Sequence, residues 1–351
     1  MSLYPIERVS VGVDIGGTFV KVALLPPSGA PVPCGRFARF PVDGDAAAGC
    51  FAAEVQRIAG MQERPVSREE EARMQGPFAA QAGARSACCV SALGVAVPGV
   101  VDPLSSSMTL SPNADFDLRA LLSALRRAFP DADPVVLNDA NAAACGEAAF
   151  GSGCGERNVL VVTLGTGVGA GFVSEGRILV GAHGAVGEVG HICVDPGGLP
   201  CGCGGRGCLE QYASAPGLIA SYLRHRGGDS DSALEAGDVF GRAADGDGAA
   251  CAAVREFSDK LGFGLAQASC VIDPSAIVIG GGLSYFADRF IDDLRASYAR
   301  YALPVCGDVR IEAASLRNDA GCFGAAAAAA ASFDAAHGTR AWELKGADLG
   351  Y

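Results

Sequence analysis

Short apolar runs, bounded by glycine, proline and polar residues, recur along the chain and predict buried strands. In two places a glycine-rich turn is all that separates one such run from the next. The first pair is Val9 to Ile15 and Val20 to Leu25. The second is Asn158 to Leu164 and the segment Gly171 to Val180, which itself predicts a hairpin with its turn at Glu175-Gly176. Each place predicts strand, glycine turn, strand, and the repeat suggests a duplicated core.

The remaining pattern predicts strands that alternate with helices. Further strands are expected at Cys89 to Val97, Pro134 to Leu137, Ala276 to Ile279 and Val309 to Ala313. Helices are expected at Ala46 to Gly60, Leu118 to Phe129, Ala142 to Phe150, Ala215 to Arg224, Ala249 to Ala268, Tyr285 to Tyr301 and Gly321 to Ser332. Residues 61–86 are polar without an apolar period, which predicts an exposed insertion, and the residues after His337 predict a loose tail.

Composition narrows the possible partners. The formal net charge of −12 and a pI near 4.8 argue against nucleic acid and anionic membrane surfaces as partners. No window has about 18 consecutive apolar residues, so no transmembrane helix is expected. The chain starts without a secretory signal pattern and has 14 cysteines, from which we expect a reducing, cytoplasmic location.

Four potential metal ligands crowd the glycine-rich stretch from Gly187 to Ser214. They are spaced as H-x9-C-x-C-x4-C and comprise His191, Cys201, Cys203 and Cys208. Three cysteines and one histidine are a preferred ligand set of closed structural Zn²⁺ sites. Buried apolar cysteines or a pair of disulfides are the alternatives, but the Cys-x-Cys spacing disfavours a bond within that pair. Two carboxylates, Glu188 and Glu210, flank the set.

The first glycine turn carries chemistry that suits phosphate. Gly16, Gly17 and Thr18 supply backbone N–H groups and a hydroxyl, and Lys21 adds an ammonium. An ordinary glycine-containing hairpin turn, without phosphate binding, explains the same residues. Asp14 favours the phosphate interpretation, because a carboxylate beside such a turn can hold a cation or its waters.

Three further motifs follow predicted strands. Asn138 and Asp139 come where α/β sheets place ligands, although both are also common helix N-caps. The run from Gly165 to Gly171, with Thr166 and Gly167, resembles a dinucleotide fingerprint but precedes a strand, so that interpretation is rejected. Bare backbone at Gly280 to Gly282 would let a flat ring approach closely.

Together these motifs resemble the ROK family of repressors, open reading frames and kinases. The long signature ExGHx6GxxCxCGxxGCxExxxS runs from Glu188 to Ser214. The other matching motifs, in order, are DIGGT at 14–18, VPGVVD at 97–102, NDAN at 138–141, GTGVGAG at 165–171 and IGGG at 279–282. The resemblance covers roughly Val9 to Ala331.

The resemblance implies an α/β fold of the actin-like ATPase type, a duplicated ribonuclease H-like architecture with two domains, an interdomain cleft and a zinc-stapled loop. The domains would be a small one at 1–137 and a large one at 138–320, with a helix at 321–337 returning to pack near the small domain and a tail at 338–351. It further implies phosphoryl transfer from ATP with Mg²⁺ to a sugar hydroxyl, a monosaccharide substrate, a structural Zn²⁺ and a homodimer.

The resemblance to the ROK family also implies roles for individual residues of the matching motifs. The resemblance implies that Asp139 is the general base. The implied sugar-binding set is Asn113, Asn138, Glu188, His191 and Glu210. The implied nucleotide set is Asp14 near the metal-bound phosphates, Gly16, Gly17, Thr18, Thr166 and Gly167 at the phosphate turns, and Gly281 and Gly282 at the adenosine.

Several functions remain open at this level. A glucokinase is favoured, and an N-acetylmannosamine or N-acetylglucosamine kinase is the alternative within the same chemistry. A ROK transcriptional regulator is disfavoured because the first phosphate strand begins at Val9 and the chain is acidic. A non-catalytic sugar sensor is disfavoured by the intact DIGGT and NDAN motifs, and polyphosphate stays open as a donor.

Overall fold

The computed structural model describes residues 8–16, 19–26, 31–38, 42, 44–59, 89–101, 108–110, 117–227 and 233–337. The chain divides into two compact units by the density of its internal contacts. Among the described residues, the first unit holds those up to Asp139 and those from Ala325 to His337, and the second holds Ala140–Gly324.

A five-stranded sheet forms the centre of the first unit, in the order β3-β2-β1-β4-β7. The strands are β1 (Arg8–Ile15), β2 (Phe19–Leu25), β3 (Val32–Ala38), β4 (Cys89–Val97) and β7 (Pro134–Asn138). Strands β1, β2 and β3 are antiparallel neighbours, whereas β4 and β7 run parallel to β1. The short strands β5 (Val100–Val101) and β6 (Met108–Leu110) pair separately.

Helices α1 (Asp45–Ile58) and α2 (Leu118–Ala128) cover this sheet with amphipathic faces. Phe51 and Val55 of α1 and Leu121 and Leu125 of α2 share one buried cluster with the strand residues. Helix α2 begins after Asp117, whose carboxylate accepts hydrogen bonds from two backbone N–H groups of its first turn.

The second unit has its own five-stranded sheet, in the order β10-β9-β8-β11-β12. The strands are β8 (Asn158–Leu164), β9 (Val168–Ser174), β10 (Arg177–Leu179), β11 (Ala276–Gly280) and β12 (Arg310–Ala313). Strands β8, β9 and β10 are antiparallel neighbours, and β11 and β12 run parallel to β8. Both sheets therefore share one strand order and one pattern of directions, which supports the duplicated core suggested by the glycine turns.

The other described α-helices are α3 (Asp139–Phe150), α4 (Glu210–Ala213), α5 (Ala215–Arg226), α6 (Ala236–Ala244), α7 (Gly248–Ile272), α8 (Ile291–Tyr301) and α9 (Ala320–His337). The predicted helix from Tyr285 to Tyr301 is in fact two elements. A 3₁₀ helix spans Gly282–Arg289, and Phe290, whose backbone is not helical, separates it from α8. Helix α6 had no counterpart in the predicted elements.

Glycine and alanine let α9 approach its neighbours at backbone distance. In the second unit, a Cβ on Gly146 of α3 would lie 2.3 Å from the carbonyl oxygen of Ala320, and one on Gly324 would lie 1.7 Å from that of Ala142. In the first unit, a Cβ on Gly94 would lie 1.9 Å from the carbonyl oxygen of Ala325. The alanine run of α9 is therefore a close-packing element. No described helix combines the length and hydropathy that crossing a bilayer requires.

Candidate active site and metal centre

A carboxylate lies at the point where strand β7 gives way to helix α3. Asn138 is the last residue of β7, and Asp139, whose side chain is exposed, opens the helix. The amide Nδ2 of Asn138 donates to Oδ1 of Asp139 and to the carbonyl oxygen of Gly99, both at 3.0 Å. The backbone at Gly99 thus orients the asparagine amide, and the amide in turn orients the carboxylate.

Asp14 and Lys21 face one another across the first hairpin. They are paired in the register of β1 and β2, and the Lys21 ammonium lies 3.4 Å from Oδ2 of Asp14. Asp14 lies opposite Ala96 of β4, which lies opposite Leu137 of β7. Two strand spacings, about 10 Å, therefore separate the backbone at Asp14 from that at the end of β7. The sheet brings both carboxylates to the same edge.

The second glycine turn, Gly165 to Gly167, contacts the Glu210 carboxylate of the Gly187 to Ser214 stretch. Oε2 of Glu210 accepts a hydrogen bond of 3.2 Å from the backbone N–H of Val168, and a Cβ on Gly167 would lie 2.6 Å from that oxygen. The carbonyl oxygen of Gly165 accepts from the N–H of Ala215 at 2.8 Å, and the side chain of Thr166 is exposed at the tip. A side chain at position 167 would push the Glu210 carboxylate away from the turn.

The third glycine turn lies beside the second. Gly281 has φ +76°, and a Cβ there would lie 2.4 Å from the carbonyl oxygen of Leu164, the last residue of β8. A left-handed glycine therefore brings the end of β11 against the end of β8. Gly282 opens the following 3₁₀ helix, and no atom crowds the position of a Cβ there. Both turns lie at the carboxyl ends of parallel strands, where α/β sheets bind ligands.

Glu188 and His191 are held against strand β9 by two glycines. A Cβ on Gly187 would lie 2.2 Å from the carbonyl oxygen of Ala170, and one on Gly190 would lie 2.2 Å from that of Val168. The short 3₁₀ turn Val189–His191 then projects both polar side chains outward. Nε2 of His191 lies 3.8 Å from Oε2 of Glu188, while Nδ1 faces the cysteine cluster.

The four predicted metal ligands come together in the structure. One ligand atom from each of His191, Cys201, Cys203 and Cys208 lies within 4.8 Å of all the others. The Sγ atoms of Cys203 and Cys208 are 3.6 Å apart, and Sγ of Cys201 is 3.8 Å from Nδ1 of His191. A tetrahedral site with Zn–S distances of about 2.3 Å has S···S edges of about 3.8 Å, so this spacing and this donor set fit Zn²⁺.

The local environment shifts the pKa values of the Cys203 and Cys208 thiols in opposite directions. The backbone N–H of Gly205 and the neighbouring thiols lower the pKa of Cys203. Burial, with contributions from the Cys203 and Cys201 thiols, raises the pKa of Cys208 to about 12. At neutral pH the metal-free cluster therefore keeps a proton on Cys208, and a divalent cation that binds there must displace it.

A clamp that the sequence did not reveal fixes this loop to helix α7. The Tyr212 hydroxyl accepts from the N–H of Leu199 and donates to Oδ2 of Asp195, both at 3.2 Å. The Lys260 ammonium of α7 lies 5.0 Å from the Tyr212 ring centroid and 3.7 Å from Asp195 Oδ2. Burial raises the pKa of Tyr212, so its hydroxyl stays a donor. Leu209, fully buried, anchors the segment between Cys208 and Glu210.

Some predicted site residues can be located and others cannot. Gly17, Thr18 and Asn113 lie outside the described residues. Gly16 is described, and its N–H donates to the carbonyl oxygen of Phe19 at 3.0 Å, which closes the first turn. The first unit holds Asp14, Gly16, Lys21, Asn138 and Asp139, and the second holds the other described candidates. The signals that sequence reasoning missed are side-chain contacts such as the Tyr212 clamp.

Comparison with known proteins decides the family. A family model described as the ROK family matches residues 57–332, well over half of the chain. The chain belongs to the ROK family. It is 34% identical over 334 residues to a glucokinase from Halalkalibacterium halodurans, covering 91% of this chain and 94% of the relative. It is 36% identical over 193 residues to an N-acetylmannosamine kinase from Citrobacter koseri, covering 55% of this chain and 63% of that protein.

A solved ROK structure matches the fold as a whole. The ROK glucokinase from Streptomyces griseus, in complex with glucose and AMPPNP, superposes with a TM-score of 0.70 at 30% identity, covering 92% of this chain and 99% of that one. The fold is therefore that of the actin-like ATPase sugar kinases. The chain is a ROK sugar kinase, as the sequence motifs predicted.

Proposed function

We propose that this ROK sugar kinase transfers the γ-phosphoryl group of Mg-ATP to a hydroxyl of glucose and forms glucose 6-phosphate. The observation that carries the proposal is the exposed Asp139 carboxylate, fixed at the carboxyl end of β7 by the Asn138 amide. The 34% identity to a glucokinase over 91% of the chain supports glucose as the sugar. The AMPPNP in the Streptomyces griseus complex supports ATP as the donor.

In this proposal Asp139 is the general base. The attacking hydroxyl of the sugar gives its proton to the Asp139 carboxylate as its oxygen approaches the γ-phosphorus. Asn138 holds Oδ1 of Asp139 through a 3.0 Å hydrogen bond and has its own amide fixed by the carbonyl oxygen of Gly99. The carboxylate therefore does not have to be oriented again at each turnover.

The sugar is held by groups that match its hydroxyls. Hydroxyls donate and accept, so the carboxylates Glu188 and Glu210, the imidazole of His191 and the amides of Asn138 and Asn113 are suited to them. His191, Cys201, Cys203 and Cys208 would hold a structural Zn²⁺. When bound, the ion would supply rigidity by fixing the loop that carries Glu188 and Glu210.

Phosphate binding falls to the glycine turns and the cation. Gly16, Gly17 and Thr18 of the first turn, and Thr166 and Gly167 of the second, would supply N–H groups and hydroxyls for the phosphate oxygens. Asp14 would hold Mg²⁺ or its waters, and Lys21, 3.4 Å from Asp14, adds positive charge at the same edge. Gly281 and Gly282 would let the adenosine lie against bare backbone.

The test is a coupled ADP-release assay on the full chain with Mg-ATP. Glucose, mannose, fructose, N-acetylglucosamine and N-acetylmannosamine are compared by kcat/KM, together with a polyphosphate arm. We expect glucose to exceed each of the others by at least about tenfold, a preference of ~1.4 kcal/mol. A higher kcat/KM for an acetamido sugar would replace glucose by that substrate, which the N-acetylmannosamine kinase relative favours as second candidate. Absence of turnover with every sugar would refute the proposal.

A further inference from the structure

A fourth cysteine lies in the loop from Gly187 to Ser214, outside the ligand set. Cys193 follows His191 by two residues, and its side chain is exposed. Its Sγ donates a weak hydrogen bond of 3.4 Å to the carbonyl oxygen of Arg206. None of the ligand roles proposed above uses this thiol, although it lies on the segment that carries the ligands.

The backbone places Cys193 directly opposite Cys208. The two residues form an antiparallel bridge. It is flanked by hydrogen bonds from the N–H of Val194 to the carbonyl oxygen of Gly207 at 2.8 Å, and from the N–H of Leu209 to that of Ile192 at 2.9 Å. Cys193 and Cys208 thus occupy a non-hydrogen-bonded pair, in which opposed Cα atoms are about 4.5 Å apart and side chains share one face.

This spacing lies within the range of disulfides, whose Cα atoms are about 4.4–6.8 Å apart. We propose that Cys193 and Cys208 form a reversible disulfide when a peroxide oxidises the protein, and that the bond removes Cys208 from the metal-ligand set. Cys193 is the entry point because it is exposed, whereas Cys208 is buried. The second half of the proposal rests on the zinc site proposed above.

The reaction balances in two steps. The Cys193 thiol reduces hydrogen peroxide and becomes a sulfenic acid, with release of one water. The Cys208 sulfur then attacks the Cys193 sulfur, the S–S bond forms, and the departing hydroxyl takes up a proton as a second water. Together the two thiols lose two electrons and two protons to the peroxide. An added dithiol reverses the bond by thiol–disulfide exchange.

Loss of Cys208 leaves His191, Cys201 and Cys203 as the remaining ligands. Three ligands hold Zn²⁺ less tightly than the closed set of four. Cys208 also lies two residues before Glu210, whose carboxylate contacts the glycine turn at Val168. The disulfide therefore couples the oxidation state of an exposed thiol to the metal and to a carboxylate assigned to the sugar.

The test uses zinc-loaded full-length protein treated with hydrogen peroxide, and measures both zinc release with a colorimetric chelator and linked peptides by mass spectrometry. Trypsin and Asp-N together separate the cysteines of interest into fragments 178–194, 195–206 and 207–224. We expect fragment 178–194, which carries Cys193, to be linked to fragment 207–224, which carries Cys208. The link should disappear with dithiothreitol.

Two variants separate the role of Cys193 from general thiol oxidation. Cys193→Ser should release zinc at least about tenfold more slowly, whereas Cys154→Ser, at another exposed cysteine, should behave as the unmodified chain. A link between 195–206 and 207–224 in place of the expected one, or zinc release unchanged by Cys193→Ser, would overturn the proposal. Scoring the peptide link also in zinc-free protein keeps a failure of the disulfide distinct from a failure of the zinc site.

Discussion

At the scale of single residues, the orientation of the Asp139 carboxylate is set by a hydrogen bond from Asn138 and not by burial. Its side chain is exposed, and the Asn138 amide, held by the carbonyl oxygen of Gly99, fixes its direction. The NDAN letters alone are equally compatible with a helix N-cap. The observed hydrogen bond from the Asn138 amide shows that the pair forms one oriented unit, with the carboxylate at the carboxyl end of a parallel strand.

Replacing the proposed base tests its chemistry directly. Asp139→Asn should lower kcat by about 10²–10⁴-fold, because the amide cannot accept the hydroxyl proton. The KM for sugar should change far less, and the melting temperature should stay the same because the replacement is nearly isosteric. Steady-state kinetics and thermal unfolding measure the two effects. Asp308→Asn, at an exposed carboxylate with no assigned role, is the matched control. Near-normal turnover in Asp139→Asn would remove Asp139 as base.

At the scale of elements, the loop from Gly187 to Ser214 packs against helix α7 through contacts of its own backbone and side chains. Gly207 has φ +68°, and a Cβ there would lie 1.6 Å from the carbonyl oxygen of Asp195. Asp195 in turn accepts from Tyr212 and lies 3.7 Å from Lys260 of α7. The Tyr212 clamp is thus a support of the loop that is separate from the four proposed metal ligands.

Gly207→Ala should damage this loop. The left-handed backbone alone costs a non-glycine residue about 1–2 kcal/mol, and the clash with Asp195 adds to it. We expect a fall of at least ~2 kcal/mol in the free energy of unfolding, with a lower zinc content per chain. Urea unfolding and metal analysis give both numbers. Gly202→Ala, where a Cβ meets open space, is the control and should leave both unchanged. Equal stability of the two variants would contradict the importance given to Gly207.

Local signals explain which elements were predictable. Strands such as β8 and β11 are continuous apolar runs that end in glycine, so both their position and their turns could be predicted. The interruption at Phe290 was not predictable, because neither proline nor glycine marks it. In the same way, ligand spacing revealed the Cys₃His set, whereas the contact of Tyr212 with Lys260 joins positions 48 residues apart and leaves no local pattern.

At the scale of the whole molecule, the same sheet is built twice. Both sheets follow one strand order, with an antiparallel hairpin at the start and two parallel strands added on the other side. Each has its own buried cluster, one centred on β1 and β4 and the other on β8 and α7. The carboxylate proposed as base belongs to the first unit, and the four residues proposed as zinc ligands belong to the second.

Because the proposed metal ligands all lie in the second unit, metal removal should change amide hydrogen exchange in that unit and not in the first. Chelation should raise amide hydrogen exchange in residues 187–214 by at least about tenfold, since the loop loses the bonds that hold its glycine-rich backbone. Strands β1 and β4 should keep their protection, because their hydrogen bonds and buried cluster involve none of the ligands. Exchange measured by mass spectrometry compares both regions in one sample, and added zinc should restore the original rates. Unchanged exchange in the loop would show that the ion does not support it. An equal rise in β1 and β4 would show that the ion stabilises the molecule as a whole instead of the loop that carries Glu188 and Glu210.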